Sequence, residues 1–142
     1  MSTETTQKYE RYAPLFLRFG LALVFILFGL QKLSHPGQTT SEIQLLTNLE
    51  LADSAALNFY LGLLEICTGA ALLTGFKVRI FAIISFLMVT IFFLSFLSKY
   101  GMSLNPDLYR DVSLAGASIA LFLLGAGPLS LDNLSHKKEG NE

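Results

Sequence analysis

Four stretches of this chain are each close to twenty residues long and almost wholly apolar. A bilayer core of roughly 30 Å is crossed by about 20 apolar residues in a helix. Continuous apolar runs, without the alternation of a barrel strand, leave the helix as the spanning structure. The first run covers about residues 13–33 (APLFLRFGLALVFILFGLQKL) and the second about 57–76. The third covers about 78–98 (VRIFAIISFLMVTIFFLSFLS) and the fourth about 111–127. The expectation is an all-α integral membrane protein. It would be a four-helix bundle forming one domain over residues 1–142, with tails 1–12 and 128–142 in the cytoplasm.

Composition supports the lipid reading and removes several function classes. Hydrophobic residues make up 52% of the chain and charged ones 15%, more apolar surface than a soluble domain of 142 residues could bury. The formal net charge of -1 gives no basic surplus to attract nucleic acid. Cys67 is the only cysteine, so no intramolecular disulfide and no CxxC pair can form. The two histidines, His35 and His136, lie outside the apolar runs, and no zinc-ligand spacing exists. The first run is too long for the core of a signal peptide and no small-x-small cleavage site follows it, so it reads as a retained anchor.

Lysines and arginines in short connections set orientation. Lys8, Arg11, Lys77, Arg79, Lys137 and Lys138 fall on one side, and Lys32, Lys99 and Arg110 on the other. That asymmetry predicts a plasma (inner) membrane protein with both termini cytoplasmic. Tyr9 and Tyr12 then lie at the inner interface and Tyr60, Tyr100 and Tyr109 at the outer one, where aromatic belts form. In the first outer connection, Pro36-Gly37 ends the first helix. Ile43, Leu46 and Leu49 recur at helical spacing behind Thr40 and Ser41 as caps. They predict a short amphipathic helix lying on the membrane or capping the bundle.

The chemistry concentrates in the charges inside the runs. A central charge costs about 2.5–3.5 kcal/mol on insertion scales and usually faces the bundle or a wet cavity. Glu65 sits mid-run in LGLLEICTGAALLTG, with Gly62 and Gly69 on its own face. Glycines allow close helix approach, so the glutamate face is the packed one. Thr68, one turn on, is placed to donate a hydrogen bond. In the first run Arg18, Ala22, Phe25, Gly29 and Lys32 share a face. Arg18 and Lys32 stand about 21 Å apart along the axis, and either could reach Glu65. Arg18 read alone also fits an arginine snorkelling to the inner interface. Arg110 and Asp111 open the fourth run at the outer edge, whereas the third contributes only Ser85, Thr90 and Ser95. The expected site is a polar pocket opening outward, lined by the first, second and fourth helices. Glu65 is the candidate catalytic residue, and Arg18, Lys32, Arg110 and Asp111 form the binding and charge network. No metal site is expected.

The order of these residues resembles the DoxX family of small four-span membrane proteins. The resemblance rests on RFGLALVFILFGLQKL (18–33), LGLLEICTGAALLTGFKVRIFA (61–82), RDVSLAGASIALFLLGAG (110–127) and LSLD (129–132), and so runs from Arg11 to Asp132. The stretch GAGPLSLD departs from the usual family pattern, which has proline between the two glycines. The resemblance implies a link to redox assemblies. The family's namesake is tied to a membrane thiosulfate:quinone oxidoreductase, and other members to an oxidoreductase assembly handling thiol and oxidative stress. Broader relatives include a maturation factor for methylamine dehydrogenase, cargo receptors and receptor-assembly chaperones.

Three function classes stay in competition. The first is a membrane subunit or accessory of a redox system, at most an oxidoreductase subunit. It would bind a quinone or small thiol in the outer pocket or anchor a redox partner, with Glu65 accepting or relaying a proton. No cofactor motif is evident, and quinone is the one cofactor the reading admits. The second is a non-catalytic scaffold that recognises a client membrane protein. The third is a small-molecule carrier, for which four spans are few unless the chain forms a homo-oligomer.

Overall fold

The computed structural model describes residues 9–37, 39, 43, 54–101 and 106–133. Four helices carry them: α1 (Ala13–Ser34), α2 (Ser54–Thr74), α3 (Val78–Tyr100) and α4 (Pro106–Leu124). No strand occurs among the described residues. Pro14 stands in the first turn of α1, where its missing N–H would have had no helical partner. The helix closes with the His35 amide donating to the Gln31 carbonyl, just before Pro36. α2 ends in a Schellman turn. Gly75 takes a φ of +75°, and the amides of Gly75 and Phe76 both donate to the Ala71 carbonyl. Pro106 opens α4, and the backbone turns at Gly125. The fourth helix therefore starts about five residues before the apolar run, at Pro106, and ends about three residues before the end of that run, because Gly125–Gly127 belong to the turn.

Three helices are long and apolar enough to cross a membrane: Ala13–Ser34, Ala55–Thr74 and Val78–Ser98. α4 is less apolar, with Asp107, Arg110 and Asp111 in its first two turns. Large apolar side chains point outward at helical spacing. Phe16, Phe19, Leu23, Leu27 and Leu30 form such a stripe on α1, and Ile80, Ile83, Leu87, Ile91 and Leu94 form one on α3. An apolar exterior of this extent is suited to contact with lipid.

α1 packs antiparallel along α2, and α3 along α4, while the two pairs touch each other more lightly. The α1–α2 seam is built on glycines. A Cβ at Gly29 would stand 2.5 Å from the Gly62 carbonyl oxygen, and one at Gly69 would stand 2.8 Å from that of Ala22. The backbones thus touch at two levels, which fixes the register of the two helices. The apolar core sits toward one end of the molecule, around Leu21, Ala22, Phe25, Leu72, Val78, Ala82 and Leu121. Arg18 marks that end, and Lys32 marks the other.

Past α4 the chain folds back over the Arg18 end. Residues 126–132 dock on the turn between α2 and α3, where the Asp132 amide donates to the Gly75 carbonyl at 3.1 Å. In the connection after α1, Pro36, Gly37, Thr39 and Ile43 are helical, and Thr39 and Ile43 are buried. The expected caps Thr40 and Ser41, with Leu46 and Leu49, lie outside the described residues.

Candidate functional site

Glu65 is buried, and it is paired with Lys32. The Lys32 Nζ donates to both carboxylate oxygens, at 2.8 and 2.9 Å. The pairing follows from chain direction. Every Cα–Cβ bond in a helix tilts toward its N-terminus. α1 begins at the Arg18 end, so Lys32 tilts into the molecule. α2 begins at the Lys32 end, so Glu65 tilts up to meet it. Gly62 makes room, since the Lys32 Cβ lies 3.0 Å from where a Gly62 Cβ would stand. The Asn58 side chain, 1% exposed, donates to the Lys32 carbonyl at 3.1 Å and secures the end of α1.

Arg18 tilts in the same direction as Lys32, toward the start of α1, which at its end of the helix carries it away from Glu65. Its guanidinium donates to the carbonyls of Ala126 and Leu129, the second at 2.7 Å. It is buried beneath the returning tail, beside Gly75 and Ser130, rather than snorkelling to an interface. Asp132 completes this clip. Its two oxygens accept from the amides of Lys77 and Val78, at 2.7 and 3.0 Å, and so cap the first turn of α3. Lys77 is held there with a φ of +44°, in the left-handed region.

At the Lys32 end a cavity of about 400 Å³ opens between α1 and the α3–α4 pair. Glu65 and Lys32 form part of its wall. Arg110 and Asp111 line it from α4, with the Arg110 Nε 3.1 Å from the Asp111 Oδ1. The Phe28 ring is shared by two cations, with Lys32 Nζ 5.8 Å and Arg110 Cζ 4.6 Å from its centroid. The expected pocket omitted α3, and here it needs correction. Met88, Val89, Phe92, Phe96 and Tyr100 of that helix form an entire wall. Lys32 Nζ also lies 5.6 Å from the Phe92 ring. Thr39 and Ile43 reach the cavity from the connection after α1. Of the sequence candidates, the cavity thus gathers Glu65, Lys32, Arg110 and Asp111 and leaves Arg18 at the opposite end.

Compared with known families, the chain matches the DoxX family over residues 13–97, more than half of its 142 residues. The chain belongs to the DoxX family. No curated protein and no solved structure matches it. The family segment of this DoxX membrane protein holds Arg18, Lys32, Glu65 and the α2–α3 turn. The stretches 110–127 and 129–132, which carried part of the resemblance, lie beyond it.

Other polar groups of this DoxX protein depart from expectation. Thr68 is fully buried, yet its Oγ1 has no hydrogen-bond partner among the described residues, so it does not support Glu65. Ser85 and Ser118 are fully buried and bond to each other at 2.8 Å across the α3–α4 seam. Cys67 faces outward on α2, away from Glu65. Asn58, Ser130 and Asp132 were missed by sequence reasoning. LSLD, following a glycine turn, was the one sign that the tail is structured.

Proposed function

We propose that this DoxX protein is a membrane subunit or accessory of a redox system, and that it takes a quinone, or a small thiol, in the cavity beside Glu65. The observation that carries the reading is a buried, cation-neutralised carboxylate on the wall of an aromatic cavity of about 400 Å³. That volume lies within the range of small-molecule sites, about 300–1,000 Å³. A quinone head group is flat and apolar on its faces, with carbonyl oxygens at its edge. Phe28, Phe92 and Phe96 suit the faces, and the charged donors of Lys32 and Arg110 suit the oxygens. When bound, a quinone would supply an acceptor of two electrons and two protons, with the electrons drawn from a thiol or a redox partner. In this reading Lys32 orients the oxygen and bonds to both oxygens of Glu65. Glu65 takes or gives a proton at its carboxylate. Asp111 holds the Arg110 Nε. All four helices cross the plasma membrane as one bundle and one domain, with both termini cytoplasmic and the Lys32 end outward.

A second reading is favoured by one observation. Both oxygens of Glu65 are already bonded to Lys32, so the pair can fix α1 against α2 with no ligand at all. The protein would then be a scaffold for a client membrane protein. Gentle purification from the source membrane, followed by mass spectrometry of extracted small molecules and co-purifying proteins, separates the two. The redox reading expects stoichiometric quinone or a redox partner, and quinone loss of at least about tenfold in Lys32→Met. A stoichiometric client without quinone, and a Glu65→Gln effect that tracks expression and not turnover, would replace it by the scaffold. An empty homo-oligomer would refute both and move the carrier reading to a liposome uptake assay.

A further inference from the structure

We infer that the Glu65 site is one-sided: it exchanges water and protons only with the aqueous phase at the Lys32 end. The inference holds whatever the cavity binds, because it rests on the walls and the floor. The cavity follows α3 from Tyr100 down to Met88, a depth of about 18 Å at 1.5 Å per residue. Its volume of about 400 Å³ would hold on the order of ten waters at about 30 Å³ each. Among the described residues, the charged and titratable groups facing Glu65 across it are Lys32 from α1, Arg110 and Asp111 from α4, and Tyr100 from α3. All of them lie toward the Lys32 end.

Below Glu65 lies the apolar core. Ala22, Leu72, Ala82 and Leu121 are fully buried and close the floor. The only buried hydroxyls at that level, among the described residues, make no chain to Glu65. Ser85 bonds to Ser118, which donates to the Leu114 carbonyl, and the Thr68 hydroxyl has no partner. A proton moving downward would need a continuous series of such bonds. Beneath the floor, Arg18 binds the tail at the Leu129 carbonyl, and the tail's own Asp132 accepts from the amides of Lys77 and Val78 across the far end. Any proton that Glu65 gives or takes therefore belongs to one compartment, and chemistry at this site is tied to the sidedness of the membrane.

Cysteine accessibility tests this directly. In a Cys67→Ala background, Val89→Cys places a thiol on the cavity wall and leaves the Lys32–Glu65 pair intact. Val24→Cys does the same from α1 and serves if the first variant folds poorly. Tyr100→Cys and Arg79→Cys report the two membrane faces. A small, membrane-impermeant methanethiosulfonate is applied to intact cells and to inverted vesicles. The expected result is labelling of Val89→Cys at least about tenfold faster from the face that labels Tyr100→Cys. Equal labelling from both faces, faster labelling from the Arg79→Cys face, or none from either would each overturn the inference.

Discussion

Replacing Lys32 by methionine isolates the ammonium from everything else the side chain does. Methionine keeps an unbranched apolar stem, so packing against Phe28 and Phe92 survives. Glu65 is left with nothing on the two oxygens that Lys32 now holds. Mid-helix, eleven residues after Ser54 and nine before Thr74, it cannot reach a helix end, and only the cavity is left to solvate it. Breaking a buried pair by removing one partner costs about 3–5 kcal/mol in soluble proteins. Polar contacts between membrane helices average about 0.6 kcal/mol and reach about 1.7. A bidentate, charged contact within a cavity falls between these limits, at about 2–3 kcal/mol, or roughly 30- to 150-fold in the folding equilibrium. Glu65→Gln costs less, about 1 kcal/mol. Its amide oxygen still accepts from the ammonium, and Lys32, two residues from the end of α1, can retreat to the surface. The double variant costs less than Lys32→Met alone. Arg18→Met with Glu65→Gln is additive within about 0.5 kcal/mol, since the two side chains share no partner. Unfolding in mixed micelles, followed by loss of helical circular dichroism, reads all of these. A Glu65→Gln more damaging than Lys32→Met, or a double variant equal to the sum of the singles, would refute the geometry. So would coupling between Arg18 and Glu65.

Gly29→Ala places a Cβ 2.5 Å from the Gly62 carbonyl oxygen and forces α1 from α2, at about 1–3 kcal/mol. Gly20→Ala, with nothing within 4 Å, is neutral or stabilises by up to about 1 kcal/mol in the same micelle titration. Asp132→Ala removes the cap of α3 and lowers stability by about 1 kcal/mol, and protease digestion should then cut the tail sooner. Thr68→Val removes a buried hydroxyl without a partner. It should leave the thermal midpoint unchanged or raise it by up to about 1 kcal/mol of stability, and a marked loss would mean that the hydroxyl is bonded after all.

The face of α1 was legible from spacing alone, and Arg18, Ala22, Phe25 and Gly29 are all buried. So was the packed face of α2, with Gly62, Glu65 and Gly69 buried as their glycine context required. The choice between Arg18 and Lys32 was not made from the sequence, although antiparallel order and side-chain tilt contain it. The α3 wall was hidden for a different reason. Its sequence is apolar on every side, so no face stands out, and Phe92 reads the same whether it meets lipid or a cavity. The tail was hidden by distance. Asp132 caps an amide 55 residues earlier in the chain, and nothing local to LSLD announces that contact.

The two cations of α1 show why one face can hold opposite tasks. Arg18 needs no acid, because its planar fork spreads across two backbone carbonyls that a point charge could not span together. It ties α1 to the end of α4, and Asp132 ties the tail to α3. The Arg18 end is therefore fastened by hydrogen bonds that use backbone groups, which do not vary with side-chain identity. Lys32 carries a single compact charge and spends it on one carboxylate. Above the glycine seam the two helix pairs meet through Lys32 against Phe92 and Arg110 against Phe28, and there the cavity opens between them. Closure at one end and room at the other arise from the same arrangement. In the proposed reading a ligand that enters the cavity meets Lys32, whose ammonium both binds Glu65 in the α1–α2 seam and lines the open space.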